Sequence, residues 1–510
     1  MNLPEDFKKQ DSVLLPLSLF LLTIISRLPF TSKYLYHMDS GHYALALEKY
    51  NVTVHQPHPP GYFLYIMMGR ILNLFIKDAN VIFVVISIVF SGLTVAAVYY
   101  LAKEIFNKKT GIFAALIAMT SPNLWFHGEI ALPYIADAFF STFVAILCWR
   151  IYKGEHRYIW FSVIVLAVAG GIRQSTIVFL LPLWFFSVKG VQIRKVIASV
   201  GLLIACCLLW FVPMVTMTGG WNAYQEAFKE LWRFNTGHVS VFEKGWDSFK
   251  AFSLRVSFFI VYGIGAGVTV LGLTTSLLAF NKKIASVDMK KLAFFSLWIL
   301  PSLFFYLLIF IDSSSLGYVL IYLPALFILI AWSAEYFDIH FNKLIKKNLS
   351  TYIIIAVIII NSVLFFFSKS PISYQQIKTH NRDLPIMLAA IKAYDPHKTA
   401  IFAYPYVQYC YRQIMYYLPE YRVYQVDIRV LPTGEERKTF WGTNRKTFLT
   451  DKIILPENID TFLMPLIIND GDNLPVIKGI RIQQFKPINM YLVSGDISLI
   501  KSMIPKLRIK

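Results

Sequence analysis

The chain has 510 residues, of which 56% are hydrophobic and only 15% charged, against about 25% charged in ordinary soluble domains; its mean hydropathy is +0.54. That excludes a soluble enzyme, a disordered chain and a fibrous repeat, and points to a polytopic membrane protein, because a spanning helix needs ~20 mostly apolar residues. A formal net charge of +19 would suggest nucleic acid in a soluble chain; here the loops between spans account for much of it, and no nucleic-acid partner is expected.

The apolar runs predict about eleven spans. They lie near 13–30, 80–102, 111–126, 131–149, 158–172, 174–188, 196–218, 251–280, 291–311, 316–334 and 351–368. The run Val13 to Ile25 follows no cleavable leader and reads as a retained first span. Lys8 and Lys9, Lys103, Lys108 and Lys109, Arg150 and Lys153, Arg194 and Lys195, Lys282 and Lys283, and Lys346 and Lys347 fall on one side if the spans alternate. The loops 122–131 and 312–316 carry no Lys or Arg. By the positive-inside rule the N-terminus is cytoplasmic. Cys148, Cys206 and Cys207 sit in apolar runs and Cys410 alone in a polar region, so no disulfide is expected there.

Between the first two spans lies a long outer loop, 31–79. It contains TSKYLYHMDSGHYALALEKYN and HQPHPPGYFLYIMMGRILNLFIK. Tyr43, Leu47 and Tyr50 have helical spacing, and Gly61–Ile76 reads as an interfacial helix begun by Pro59 and Pro60. After the last span, residues 369–510 lose the long apolar runs. Strands are expected at Thr399–Tyr404, Tyr421–Val426, Ile480–Phe485 and Met490–Val493, with an amphipathic helix at Val407–Leu418. The expected fold is a polytopic α-helical membrane domain, 1–368, followed by an extracytoplasmic α/β domain, 369–510, at the plasma membrane.

Several residues can carry chemistry. Asp39, beside His37 and His42, is a base at the membrane rim or, with Ser40, a helix cap. His55 and His58 can share an anion, a hydroxyl or a divalent metal, and the spacing leaves the metal open. His127 and Glu129 fall in a short outer turn, and Asp137 lies inside span four. Arg173, in AGGIRQS, is a phosphate ligand or an interfacial anchor. Arg233 and His238 lie in the outer loop 219–250, and Tyr318 follows another outer turn. Asp39, His58, Glu129, Arg173 and Tyr318 all map to the outer face. Such a rim suits transfer between a membrane-held phosphate leaving group and a hydroxyl.

The strings HMDSGHYALALEKYN, HPPGYFLY, SPNLWFHGEIALPYIADAFF, GGIRQS and SLGYVLIYLPAL, in this order, resemble the GT-C glycosyltransferases, nearest the protein O-mannosyltransferase and aminoarabinose-transferase-like group. The resemblance covers about 13–334. It implies a polyprenyl-phosphate-linked sugar as donor and a protein, lipid or glycan acceptor. It also implies a catalytic base at the position of Asp39 and inversion in a single displacement. Arg173 and His58 would offset the leaving phosphate, and Glu129 would orient the acceptor or a metal; His55, His42, Arg233 and Tyr318 are further binding candidates. Two features depart from the pattern. Ser40 stands where relatives often have a second acid, and Pro57–His58 replaces an acid–Lys pair before Pro-Pro. The alternatives are a transporter or flippase for a lipid-linked or charged solute, and a non-catalytic subunit of an envelope assembly.

Overall fold

A computed structural model describes residues 5–236, 240–280, 288–312, 315–341, 348–403, 409, 411–430, 436–441, 449–450, 455–467, 478–485 and 490–500. The expectations for Cys410 and His238 fall outside these residues. The chain divides into two compact units. A helical unit comprises Met1–Thr31, Tyr62–Thr216 and Trp232–Gln376; a second comprises Ser32–Gly61, Met217–Leu231 and Ile377–Lys510.

In chain order the helices are α1 (Glu5–Arg27), α2 (Met38–Glu48), α3 (Phe63–Leu72), α4 (Ala79–Ile105), α5 (Lys108–Thr120), α6 (Pro122–His127) and α7 (Tyr134–Tyr152). There follow α8 (Tyr158–Ile172), α9 (Ser175–Ser187), α10 (Ile193–Met217), α11 (Trp221–Thr236), α12 (Val241–Lys244), α13 (Trp246–Ile264) and α14 (Gly267–Phe280). The last are α15 (Met289–Leu308), α16 (Leu323–Phe341), α17 (Leu349–Phe367), α18 (Tyr374–Lys392) and α19 (Tyr411–Tyr417).

Among the described residues six helices are long and apolar enough to cross a membrane: Val13–Phe30, α4, α7, α10, α15 and α17. The pair α13 and α14, bent by 106°, makes a seventh if it is one span, and α3, α8 and α9 are shorter apolar helices. Eleven spans are therefore not established. The apolar run 111–126 divides at Ser121, whose Oγ accepts from the Leu124 amide at 3.3 Å. Pro122 takes the first position of α6, where its missing N–H costs nothing. The run 251–280 divides at Gly265, which closes α13 with φ 52°. The expected helix at 61–76 begins at Phe63 rather than on the prolines, because Gly61 (φ 116°) and Tyr62 (φ 44°) turn the chain first.

The core of the helical unit is α4, packed against α1, α5 and α7. Its Ile82, Phe83, Val98 and Leu101 are all buried. Other helices turn apolar residues outward: Ile25 of α1 is 62% exposed, Leu209 of α10 77% and Ile359 of α17 57%. Water would penalise such faces and lipid does not. The chain is a polytopic α-helical membrane protein with a C-terminal sheet.

In the second unit β1 (Thr399–Ala403), β2 (Arg422–Val430), β3 (Glu436–Trp441), β4 (Leu449–Thr450), β5 (Thr461–Ile467), β6 (Arg481–Phe485) and β7 (Met490–Asp496) form one sheet, ordered β4-β3-β2-β1-β5-β7-β6. The central strand β1 is parallel to β2 and β5; the other pairs are antiparallel. All five residues of β1 are buried, because alternate side chains enter different cores. Ile401 and Ala403 join Leu384 and Met387 of α18 and Ile414 of α19. Ala400 and Phe402 join Tyr424, Phe462 and Val493. Leu45 of α2 belongs to the first of these cores, so the loop segment 32–61 folds as part of the C-terminal unit. Backbone bonds repeat the point: the Lys33 amide donates to Asn381 Oδ1 at 2.8 Å, across 348 positions.

Candidate active site

Asp39 stands in the first turn of α2. The cap of that helix is neither Asp39 nor Ser40 alone. His37 Nδ1 accepts from the Asp39 amide at 3.0 Å, and Ser40 Oγ accepts from the His37 amide at 3.3 Å. The Asp39 carboxylate is thus left over from capping. It sits where the helix dipole favours negative charge.

The loop after α2 folds back on itself. The Asn51 amide donates to the Gln56 carbonyl at 2.6 Å and the Gln56 amide to the Asn51 carbonyl at 3.0 Å. His55, at φ 53°, closes the intervening turn. His58 is thereby brought against α2. Its Nδ1 lies 3.5 Å from Asp39 Oδ1 and 3.2 Å from His42 Nδ1, while His42 Nδ1 is 3.5 Å from Asp39 Oδ1. The His55 ring packs edge-on against that of His42, centroids 5.8 Å apart. His37 Nδ1 lies 3.5 Å from Asp39 Oδ2. The structure brings together the sequence candidates Asp39, His42, His55 and His58. The Asp39 side chain remains 16% exposed.

Burial pushes the Asp39 carboxyl up, but His58, His37 and His42 outweigh it and hold the carboxyl well below the usual carboxylate range. His42 is pulled down to about 3, first by burial and further by the Arg412 cation and His58, against the opposing hydrogen bond to Asp39. Burial first, then His42, His58 and Arg412, likewise lowers His55. At neutral pH His42 and His55 are therefore neutral beside an ionised Asp39.

Arg412, on α19, escaped the sequence reading. It is fully buried, and its Nη2 donates to the Val54 carbonyl at 2.7 Å. Gly41 lets α2 approach α19 so closely that an added Cβ would lie 2.7 Å from Arg412 Cβ. Beside it, Gln413 Nε2 donates to the Leu35 carbonyl at 2.8 Å. The only early signal was a glycine inside a helical pattern; its partner lies far along the chain.

The helical unit buries the other acidic candidates, Asp137 and Glu129. Asp137, in the first turn of α7, accepts from Arg173 Nη1 at 2.7 Å and from Thr176 Oγ1 at 2.8 Å. The Arg173 guanidinium lies over the rings of Tyr134 (4.8 Å) and Tyr318 (5.0 Å). Arg173 and Tyr318 are thus brought together. Glu129 is not in solvent but fully buried, as is His127. Trp125 Nε1 donates to Glu129 Oε1 at 2.6 Å, and Arg27 lies 4.1 Å over the Trp125 ring. Arg233 lies in α11, but its side chain is outside the described residues.

Residues 57–217, just under a third of the chain, match the family model described as dolichyl-phosphate-mannose-protein mannosyltransferase. That stretch includes His58, Glu129, Asp137 and Arg173 but not Asp39. No curated protein matches. Among solved structures, ArnT from Cupriavidus metallidurans bound to undecaprenyl phosphate is similar with a TM-score of 0.54 and 10% identity, over 85% of this chain and 98% of ArnT. The apo state of the same protein gives 0.52 and 11%, over 86% and 98%. A likeness to the apo oligosaccharyltransferase of Archaeoglobus fulgidus, TM-score 0.46 and 11% identity over 81% and 64%, is too weak to carry an argument. At such identities the likeness is one of fold alone: the chain shares the fold of the ArnT structures over most of its length.

Proposed function

We propose that the chain is an integral-membrane glycosyltransferase that moves a sugar from a polyprenyl-phosphate-linked donor to a hydroxyl acceptor. Asp39 takes the acceptor's proton, the freed oxygen attacks the anomeric carbon, and the carbon–oxygen bond to phosphate breaks with its electron pair leaving on the phosphate. One displacement inverts the anomeric configuration. The observation that carries this reading is Asp39 itself: partly accessible, ionised, not consumed as a cap, and without a Lys or Arg partner among the described residues. The ArnT structure with undecaprenyl phosphate supports a lipid-phosphate donor. His58, beside Asp39, is the candidate for donating a hydrogen bond to the leaving phosphate; Arg173 is engaged with Asp137. The basic loops support a cytoplasmic N-terminus and chemistry on the opposite face.

The test is mass spectrometry of lipid extracts from cells carrying the wild type or Asp39→Asn. A polyprenyl-phosphate sugar that accumulates only with the variant supports transfer and gives the sugar by its mass. Unchanged lipids, with the variant present in the membrane, overturn the reading in favour of a transporter of lipid-linked solute.

A further inference from the structure

We propose that Arg412 is a positioning residue of the Asp39 centre: a single side chain of α19 that touches both arms of the loop 32–61 and sets the distance between them. This rests on the transferase reading and adds to it the residue that fixes the geometry. The first arm is α2, which carries Asp39 and His42. It meets α19 at Gly41, where an added Cβ would stand 2.7 Å from Arg412 Cβ and 3.1 Å from the Arg412 carbonyl carbon. The second arm is the fold-back that carries His58. Its tip is the peptide joining Val54 to His55, and Arg412 Nη2 donates to that Val54 carbonyl at 2.7 Å. The root of the arginine side chain rests on one arm and its far end holds the other.

The second arm is too short to hold itself. Its base is closed by Tyr50 Oη, which donates to the Gly61 carbonyl at 2.6 Å, and its stem is the isolated Asn51–Gln56 bridge. Even a full two-stranded hairpin is marginally stable on its own. His55 then leaves the turn at φ 53°, so a small rotation of the Val54–His55 peptide redirects the chain that leads to His58. His58 Nδ1 lies 3.5 Å from Asp39 Oδ1, and misplacing such a group by about 1 Å costs on the order of 10²-fold in rate. A charged donor makes the shorter and stronger bond to a carbonyl.

The first arm is anchored separately. The Leu35 carbonyl accepts from Gln413 Nε2 at 2.8 Å, and the Leu35 amide donates to Tyr417 Oη at 2.8 Å. Loss of the Arg412 guanidinium therefore frees the tip and leaves α2 in place. The guanidinium is fully buried over the Tyr411 ring, 4.8 Å from its centroid, with no carboxylate partner among the described residues. Burying a cation in this way is costly, and an apolar residue would fill the same core at lower cost. What the arginine supplies instead is its hold on Val54.

The experiment compares the full chain in detergent with three variants. Arg412→Met keeps an unbranched stem and removes the donors, Arg412→Lys keeps one donor group, and Arg422→Met on β2 is the control. Hydrogen exchange reads the arm through the amides of Asn51, Val54, His55 and Gln56, all bonded within it. Arg412→Met should raise their exchange by about tenfold or more, the effect of losing a charge-assisted hydrogen bond, while α18 and β1 keep the wild-type pattern. Arg412→Lys should fall between, and Arg422→Met should match the wild type. Cells carrying Arg412→Met should accumulate the same polyprenyl-phosphate sugar as cells carrying Asp39→Asn, with wild-type amounts of the variant in the membrane. Unchanged exchange at 51–56 overturns the proposal. So does a rise shared by α18 and β1, which a merely structural arginine would give, and so do wild-type lipids with Arg412→Met beside accumulation with Asp39→Asn. If Asp39→Asn itself leaves the lipids unchanged, the transferase reading fails and the exchange pattern alone decides whether Arg412 sets the arm. Should Arg412→Met not fold, Arg412→Lys against the wild type carries the same comparison.

Discussion

Two carboxylates in this molecule, Asp137 buried and Asp39 half-buried, are handled in opposite ways. Asp137 is closed off: Arg173 and Thr176 each donate to one of its oxygens, and Tyr134 and Tyr318 cover the guanidinium. Asp39 faces ring nitrogens at 3.5 Å and keeps an accessible edge. A fully paired ion pair among spanning helices holds a fold together at the cost of desolvation. A carboxylate ringed by imidazoles, with no fixed cation, keeps its capacity to accept a proton or a ligand. Burial alone therefore does not mark the reactive acid; what its neighbours leave unsatisfied does.

The sharpest way to break this contrast is to remove each acid. Asp137→Ala strands the Arg173 cation among buried groups, and unpairing of that kind costs about 3–5 kcal/mol. Thermal melting in detergent should fall markedly, and Arg173→Ala should be similarly damaging. Asp39→Asn should do the reverse. Its melting temperature should stay near that of the wild type, while transfer drops by roughly 10²–10⁴-fold, the range for loss of a general base. Equal melting losses in both variants would erase the distinction between a structural and a reactive carboxylate.

A smaller effect is expected at Gly41. An alanine Cβ 2.7 Å from Arg412 Cβ cannot be relieved by a flexible side chain, since both atoms are tied to backbone. Helices α2 and α19 must separate, at a cost of about 1–3 kcal/mol, and Arg412 must leave the Val54 carbonyl. Gly41→Ala should therefore lower melting and transfer together. Gly272→Ala on α14, where nothing lies within 4 Å of the added atom, is the control and should be neutral.

This contact also shows what the sequence conveys and what it conceals. Apolar length made the membrane class legible, and period-two patterning located β1 and β6 to within a residue and the start of β7. The His-x-Asp-x-x-His spacing and the nearby His58 were visible as chemistry. Their convergence was not, because it depends on the Asn51–Gln56 bridge. The contribution of α19 was not legible either: its Arg412 meets Val54 across 358 positions. Glu129, expected in a short outer turn, is fully buried; Trp125, stacked on Phe365 at 4.9 Å, helps cover it. The span count is not established, because a proline and a glycine of positive φ divide two runs that are continuously apolar in the sequence.

The last effect vanishes at neutral pH and concerns how the second unit holds the loop. His380 of α18 is fully buried, its Nε2 lies 3.1 Å from the Leu35 carbonyl, and its Nδ1 has no hydrogen-bond partner among the described residues. Burial pulls its pKa down to about 3, against the carbonyl's upward pull, so the folded protein keeps this imidazole neutral with the proton on Nε2. The unfolded chain protonates it near pH 6.5. Above that pH both states are neutral and His380 imposes no penalty. As pH falls from 6.5 toward 3 only the unfolded state gains the proton, so stability declines; by pH 4.5 the decline from this group is about 2–3 kcal/mol. His380→Gln, which can still donate to Leu35, should flatten the acid limb of melting temperature against pH while changing the neutral value little. The Asp39 centre titrates in the same window through His42, so the variant should reduce the slope without abolishing it. An unchanged slope would mean that His380 can protonate in place, and that the loop is held by Gln413 and the hydrophobic contact of Leu45 instead.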